Sequence, residues 1–216
     1  MDGVVAVAGI TLALDASTYE GSVAVLRDGV VVAEQTVAMR GEHEERLMPA
    51  VAAALAAAGA APHDIQRIVC GEGPGSFTSL RIAAAIGKGL ASAISVPLYG
   101  VSSLALAAVD AGAGRWLVTL DAMRGDAYAA GYAWDGVALE ELLAWRVTPQ
   151  HETLALAKSA RCELIEGRPH ARAIEPMLAA VIAGGPVDLA GWEPSYGRNA
   201  EAQVKWEAAH GRPLVP

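Results

Sequence analysis

The stretch LALDASTYEGSVAVLRDGVVV, residues 12–32, decides the fold of this chain. Residues 10–15 form a short apolar run that ends in an acid, a pattern that predicts a buried strand. Further strands are predicted for residues 21–27 and 30–39. Between them, Asp28-Gly29 predicts a hairpin, because both central residues of a type I′ turn need positive φ. The stretch therefore predicts consecutive short strands joined by tight connections.

A second copy of this pattern follows about a hundred residues later and reads VTLD, then AYAAGYAWDGVAL, between residues 118 and 139. Asp15 precedes Asp28 by 13 positions in the first copy, and Asp121 precedes Asp135 by 14 in the second. Such a repeat favours an α/β fold of two similar lobes, each with a mixed sheet and packed helices. Chance similarity between two Asp-Gly hairpins is the alternative.

The predicted division places an N-terminal lobe at residues 1–100 and a smaller C-terminal lobe at residues 101–216. A final helix at about residues 200–209 could pack back on the first lobe. Residues 1–9 are compatible with either an extra strand or a loose tail.

The 216 residues are 53% hydrophobic and 19% charged, which is typical of a globular chain and excludes a disordered one.

The charge balance argues against direct binding of nucleic acid. The chain has 16 Lys and Arg against 24 Asp and Glu, a formal net charge of −8, and contains no basic run. An acidic surface repels a polyanion unless positive charge is locally clustered. A partner would therefore make most of any contact with RNA.

The expected location is the cytoplasm. The N-terminus lacks the positive region of a signal peptide, since Asp2 is acidic and the first basic residue is Arg27. No run of about 18 residues is apolar enough to cross a membrane. Cys70 and Cys162 belong to no CxxC pair and lie in apolar segments predicted as strands, so both are expected to be buried free thiols.

Signatures of catalysis are missing. His43 is followed four positions later by Leu47, where an HExxH site needs its second His. No GxSxG elbow occurs, and the loop at residues 71–76 lacks the Lys-Ser/Thr of a P-loop. We therefore predict no catalytic residue and no metal ligand.

Two places could bind phosphate. Asp15, Ser17 and Thr18 follow the first strand, where hydroxyls and amides can bind phosphate and an Asp can hold hydrated Mg²⁺. Ser76 begins a helix, whose free N–H groups favour an anion. The alternative readings are that Asp15 and Ser17 satisfy turn groups and that Ser76 caps its helix.

The helix predicted for residues 78–94 is the most informative element. Arg81 and Lys88 are its only charged residues, and the rest are small or apolar on every side, so we expect burial beyond the face that packs on a sheet. Two rows of small residues would let another helix approach closely: Ala83, Gly87 and Ala91, and Ala85, Gly89 and Ala93. The helix is either a core helix or a partner interface formed with the helix predicted for residues 42–58.

Five segments together resemble the TsaB/YeaZ family, and the GxGPGSFTxxRI pattern is the most specific. They are LALDASTYEGSVAVLRDG (12–29), GEGPGSFTSLRIAAAIGKGLA (71–91), GVSSLALAA (100–108), LDAMRGDAY (120–128) and PSYGRNAEAQVKW (194–206). The likeness extends from Ile10 onward, although residues 147–193 match only as a pattern of helices. Departures from the family pattern are Ser79, Asp126 and Gly197, where Gly, Glu and Leu are usual.

The resemblance implies a duplicated actin/Hsp70/sugar-kinase-like (ASKHA) fold and a role as a non-catalytic scaffold. The chain would bind the catalytic subunit TsaD and, with it, the ATPase TsaE, for transfer of threonylcarbamoyl to a tRNA adenosine. No cofactor is expected to bind tightly, although ATP or ADP could sit at the junction of the complex. Alone, the chain is expected to form a homodimer, and tRNA would be held mainly by the partner.

The resemblance also implies an interface built from the two helices. The expected interface residues are His43, Arg46, Leu47, Val51, Leu55, Ser79, Ile82, Ala85, Ile86 and Gly89. The alternative function is that of an independent enzyme, either an actin-fold ATPase or kinase, or a glycoprotease-like peptidase.

Overall fold

The structure, a computed structural model, describes residues 7–39, 45–197 and 209–211. Its regular elements are, in chain order, β1 (Ile10–Asp15), β2 (Glu20–Arg27), β3 (Val30–Ala38), α1 (Leu47–Ala57), β4 (Ile65–Gly71), α2 (Phe77–Ile94), β5 (Leu98–Val101), α3 (Ser103–Asp110), β6 (Gly114–Asp121), β7 (Asp126–Trp134), β8 (Leu139–Pro149), α4 (Thr153–Ala160), β9 (Glu163–Glu166) and α5 (Leu178–Ala183). Short 3₁₀ segments lie at Pro62–Asp64, Gln150–Glu152 and Ala171–Met177.

The two sheets repeat one arrangement. The first has the strand order β3-β2-β1-β4-β5, and the second has the order β8-β7-β6-β9. In each, three consecutive strands pair antiparallel, and a later strand, β4 or β9, joins the first of them in parallel. The duplicated α/β fold with two mixed sheets and packed helices is therefore confirmed.

The two predicted hairpins differ in their turns. Asp28 and Gly29 both have positive φ, 53° and 85°, as a type I′ turn requires. In the second copy only Gly136 does, and Asp135 accepts hydrogen bonds from the N–H groups of Val137 and Ala138. The side chain of Asp135 thus widens the turn, and β8 begins at Leu139.

Two apolar clusters fix the positions of the helices. On one side of the first sheet, α1 and α2 lie next to each other and bury residues such as Leu47, Val51 and Ala83 against β1, β2 and β4. On the other side, α3 and the 3₁₀ segment Ala171–Met177 fill the space towards the second sheet. The layer of α1 and α2 is consequently the outermost layer on its side of the first sheet.

The bounds of α1 explain how Pro49 is accommodated. The helix begins at Leu47, so Pro49 lies in the first turn, where its missing N–H costs no intrahelical hydrogen bond. Gly59, with φ of 61°, ends the helix as predicted. The predicted start at residue 42 and most of the predicted helix at residues 200–209 lie outside the described residues, as do residues 1–6.

The cysteines behave differently from each other. Cys70 is fully buried in β4, as predicted, and both thiols are free. The prediction for Cys162 was wrong, because this residue precedes β9 and is only half-buried. Arg161 follows α4 in the left-handed conformation, with φ of 55°, and because of this turn the next strand begins only at Glu163, after Cys162.

Within the described ranges, no helix has the length and apolar character that a membrane crossing requires.

Candidate functional site

Asp15 accepts three hydrogen bonds from groups of its own chain. Its Oδ1 accepts hydrogen bonds from the Ser17 backbone N–H at 2.9 Å and the Ser17 hydroxyl at 2.7 Å. Its Oδ2 accepts one from the Ser103 hydroxyl at 2.5 Å. Asp15 has no exposed surface, and burial raises its pKa, while the bonds from Ser103 and Ser17 act in the opposite direction. The geometry is that of a buried acid that closes a turn, which was the alternative considered for this residue.

The other candidate phosphate residues also have local partners. Ser17 is 2% exposed. The Thr18 hydroxyl donates to the Glu20 carbonyl and accepts from the Glu20 N–H. Ser76 precedes α2 but its side chain makes no cap bond; it pairs with the Ser79 hydroxyl at 3.0 Å instead. Asp121, the counterpart of Asp15 in the repeat, is exposed and accepts from the Met123 N–H.

A C-terminal segment, residues 187–197 and here called the strap, crosses this region. It joins the edge of the first sheet through the Val187 N–H and the Leu98 carbonyl, at 2.9 Å. The Lys88 ammonium then donates to the Trp192 carbonyl at 2.9 Å. Finally the Ser195 N–H donates to the Glu72 carbonyl at 2.7 Å, which places the strap against the loop at residues 71–76.

Close packing leaves no room for larger residues where the strap meets this loop. Gly73 has φ of +86°, and a Cβ there would lie 2.4 Å from the Ser195 carbonyl oxygen. A Cβ on Gly75 would lie 2.0 Å from the Ser17 carbonyl oxygen. The peptide bond between Gly73 and Pro74 is cis. The glycines of the GPG sequence are therefore required by contacts with two distant segments, which explains the residue choice without a phosphate.

The strap ends in an aromatic cluster with residues of α2 and of the second sheet. The Tyr196 ring lies 4.5 Å from the Phe77 ring, centroid to centroid, and its carbonyl accepts from the Tyr128 hydroxyl at 3.2 Å. The Tyr128 ring in turn contacts Trp145 edge-on at 6.1 Å. Arg81 stacks its guanidinium over Phe77, 5.1 Å from the ring centre. The strap thus connects α2 with β7 and β8 of the second sheet.

The layer formed by α1 and α2 presents an exposed surface, here called the outer helical face. It consists of Arg46, Met48, Ala52, Ala53 and Ala56 on the side of α1 and Arg81, Ala85, Gly89 and Ser92 on the side of α2. The row Ala83, Gly87 and Ala91 packs inward on the sheet, whereas Ala85 and Gly89 are exposed. The expectation that α2 is buried on more than its sheet side is thus not met in the free chain.

The expected interface residues fall into three groups. Leu47, Val51, Leu55 and Ser79 are at most 4% exposed, since they face the first sheet or pack beside the loop before α2, and they cannot contact a partner in this conformation. Arg46, Ala85 and Gly89 are exposed, and Ile82 and Ile86 are half-buried at the margin. His43 lies outside the described residues. Helical spacing identified the two helices, but not which side of each faces the sheet.

Sequence reasoning missed the strap and the residues it contacts. Ser195 and Tyr196 belong to the family segment at residues 194–206 and Trp192 to none, and local pattern does not reveal their contacts because the partners lie about 70 to 120 positions away in the chain. The signal available was the pair of aromatic residues beside Pro194 in an otherwise polar region. Among the described residues, no group of three or more His, Cys, Asp or Glu could hold a metal ion.

Comparisons with known proteins agree with one another. A family model described as "TsaD: tRNA N6-adenosine threonylcarbamoyltransferase" matches residues 30–183. The tRNA threonylcarbamoyladenosine biosynthesis protein TsaB of Bacillus subtilis is 33% identical over 225 residues, covering 90% of this chain and 96% of that protein. The Escherichia coli protein of the same name is 39% identical over 142 residues, 61% of each chain. The solved structure of YeaZ from Pseudomonas aeruginosa has a TM-score of 0.74 and 28% identity, covering 87% of this chain and 99% of that one.

Proposed function

Because the chain belongs to the TsaB/YeaZ family of tRNA threonylcarbamoyladenosine biosynthesis proteins, we propose that it is a scaffold subunit without catalytic residues of its own. It would bind a TsaD-like catalytic subunit through the outer helical face. That subunit would transfer threonylcarbamoyl from its adenylate to N6 of an anticodon-loop adenosine in tRNA. The chain would hold it in the form competent for transfer.

The observation that carries this proposal is the character of the outer helical face. Ala52, Ala53 and Ala56 on α1 and Ala85 and Gly89 on α2 are exposed and small, while the opposite sides of both helices pack on the sheet. Small side chains let a second pair of helices approach closely, which favours a helical bundle across the interface. A stable interface of this kind buries about 1,600 Å² in total.

The family resemblance also suggests the remaining partners. A TsaE-like ATPase would dock where the two subunits meet, and ATP or ADP could bind at that junction rather than tightly to this chain. The net charge of −8 supports a division of labour in which the catalytic subunit holds most of the tRNA. Without the catalytic subunit, the same face could pair with a second copy around a two-fold axis.

The alternative is an independent actin-fold ATPase or kinase, or a peptidase. A kinase needs carboxylates that face the phosphates and their Mg²⁺. In this chain both carboxylate oxygens of Asp15 already accept hydrogen bonds from Ser17 and Ser103, and the side chain has no exposed surface. Those contacts support the scaffold proposal over the enzyme.

The test is reconstitution of the modification with purified components. Threonine, bicarbonate, ATP, the adenylate-forming enzyme, TsaD, TsaE and tRNA from one organism are mixed with and without this chain, and threonylcarbamoyladenosine is quantified. We expect product only when the chain is present, and Asp15→Asn should retain activity at a temperature where it stays folded. Product formation that is the same without the chain would refute the scaffold role. ATP hydrolysis by the chain alone, abolished in Asp15→Asn, would favour the enzyme.

A further inference from the structure

We propose that Arg81 is the specificity-determining cation of the outer helical face, held in place by the strap, and that it pairs with a carboxylate on the TsaD-like partner. The inference rests on the proposed function, since it names the chemistry of the partner at that same face. It concerns a residue that the expected interface did not include.

The guanidinium of Arg81 contacts two aromatic residues of its own chain, Phe77 and Tyr196. Its guanidinium lies 5.1 Å from the centre of the Phe77 ring, a distance that allows a cation–π interaction. It also interacts with the Tyr196 hydroxyl: Arg81 lowers the pKa of this tyrosine, which burial raises. Phe77 and Tyr196 are in ring contact with each other, so the ring under the guanidinium and the hydroxyl beside it belong to one aromatic pair.

The strap determines where that aromatic pair lies. Tyr196 is fixed on one side by the bond from the Ser195 N–H to the Glu72 carbonyl, and on the other by the bond from Tyr128 to its own carbonyl. Further along the strap, the Trp192 indole donates to Glu72 at 3.4 Å. The position of Arg81 therefore depends on a segment more than a hundred residues away in sequence.

The charge of Arg81 lacks a counter-ion within the described part of the chain. No carboxylate there lies within 4.0 Å of its guanidinium, although Glu193 is near enough to Tyr196 to raise its pKa. The side chain is exposed, and it stands one helical turn from Ala85 on the outer helical face. Lys88, the other cation of α2, donates to the Trp192 carbonyl instead.

These facts favour a carboxylate as the partner group. The charged residues that define the face are both arginines, Arg46 and Arg81, on a chain of net charge −8, and the exposed Glu45 lies beside Arg46 at the start of α1. The Phe77 ring covers one face of the guanidinium, and the N–H groups that do not meet the Tyr196 hydroxyl can donate to a carboxylate, which a planar guanidinium binds in a bidentate pair. Because the side chain is already ordered, less conformational entropy is lost when the pair forms.

The experiment measures binding of the full-length chain to the purified TsaD-like subunit of the same organism by calorimetry, at low and high NaCl. We expect Arg81→Gln to weaken binding by about 30-fold or more at low salt. Arg81→Lys should recover only part of the loss, because Lys lacks the planar fork. Tyr196→Phe, which removes only a hydroxyl, should weaken binding by about 2- to 10-fold. Arg146→Gln on β8 is the matched control, since it removes the same charge from the far sheet.

The salt dependence separates the proposed pair from a loss of structure. Arg81→Gln should flatten the dependence of the dissociation constant on NaCl while the near-ultraviolet circular dichroism of the aromatic cluster stays that of the wild type. Equal binding by wild type and Arg81→Gln would overturn the inference and leave the scaffold role standing. So would a loss that Arg146→Gln shares, or one that is independent of salt. A wild-type chain that does not bind the subunit would instead overturn the proposed function.

Discussion

Ser103 donates a hydrogen bond to Oδ2 of Asp15 across 2.5 Å, although 88 residues separate the two in the chain. The same hydroxyl oxygen accepts the Gly73 N–H at 3.1 Å. The bond thus joins the end of β1, the loop before α2 and the first residue of α3. An acid that could have held a cation in a nucleotide site is here a buried junction between three segments.

The pH dependence of stability should reveal this junction. The folded pKa of Asp15 is raised above 3.8, so the folded chain binds the proton more tightly than the unfolded chain does. The stability that this contributes is present below about pH 3.8 and is lost as pH rises through the folded pKa. Urea unfolding should therefore show wild type losing free energy of unfolding relative to Asp15→Asn as pH rises. Asp121→Asn, at the exposed end of β6, is the control; a difference between wild type and Asp15→Asn that does not change with pH contradicts the account.

Gly73→Ala should separate backbone strain from collision with the strap. Gly73 and Gly112 have nearly the same φ, +86° and +87°, but a Cβ on Gly112 meets nothing within 4 Å. In both variants alanine must adopt a positive φ, which lowers the free energy of unfolding by about 1–2 kcal/mol. Gly73→Ala should cost about 1–3 kcal/mol more in the free energy of unfolding, because the Ser195 carbonyl must move. If Gly73→Ala and Gly112→Ala lost the same free energy of unfolding, the strap would move away from the added methyl group at no measurable cost.

Ala85→Asp should abolish binding to the TsaD-like subunit while leaving the chain folded. Ala85 is exposed at the middle of the outer helical face, so an acid there costs little in the free chain, whereas in the complex its carboxylate would be buried at the contact and would compete for the guanidinium of Arg81 one turn away. Ala155→Asp, at an exposed position of α4, is the matched control and should bind as wild type does. Size-exclusion chromatography of the mixtures would show the loss as separated peaks, and co-elution of Ala85→Asp with the subunit would rule out this assignment of the face.

Gly89→Ala should stabilise the free chain and weaken the complex. Gly89 lies within α2, and a Cβ there meets nothing within 4 Å, so Ala raises the free energy of unfolding by about 0.5–1 kcal/mol through helix propensity. A partner helix that approaches closely at Gly89 would meet the added methyl group. Thermal unfolding and calorimetric titration of one preparation measure both effects. If Gly89→Ala increased both the stability of the free chain and its affinity for the TsaD-like subunit, the partner helix would have to approach closely at another position.

The two thiols should react at different rates. Burial raises the pKa of both Cys70 and Cys162, but Cys70 is fully buried inside β4 whereas Cys162 is half-buried, and nearby Arg115 partly opposes its shift. Labelling of the native chain with a thiol reagent should modify Cys162 alone, with Cys70 modified only after unfolding. Mass spectrometry of the labelled peptides distinguishes the two, and early labelling of Cys70 would contradict its burial.

Local pattern was sufficient for most of the fold. The Asp-Gly turn at Asp28 follows from the φ values that the two residues tolerate, and the strands that end at Asp15 and Asp121 follow from short apolar runs of a few residues. The helix at residues 77–94 and its stop near Pro97 are equally local. Each of these features depends on residues within about one turn or one strand of it in the sequence, so a short stretch of sequence is enough to predict it.

The outer helical face and the strap depend on contacts between segments that lie far apart in the sequence, and local patterns do not reveal such contacts. Helical spacing gave two rows of small residues on α2, and only packing on the sheet turned Gly87 inward and Gly89 outward. Tyr196 meets Phe77 and Arg81 because the strap is held at Glu72 and Tyr128. Local propensities act over a few residues, whereas burial of apolar area and satisfaction of buried hydrogen bonds are settled only when segments about a hundred residues apart come together. The sequence by itself thus determined the repeated sheets and their helices, and the tertiary structure decided which surface remained free for a partner.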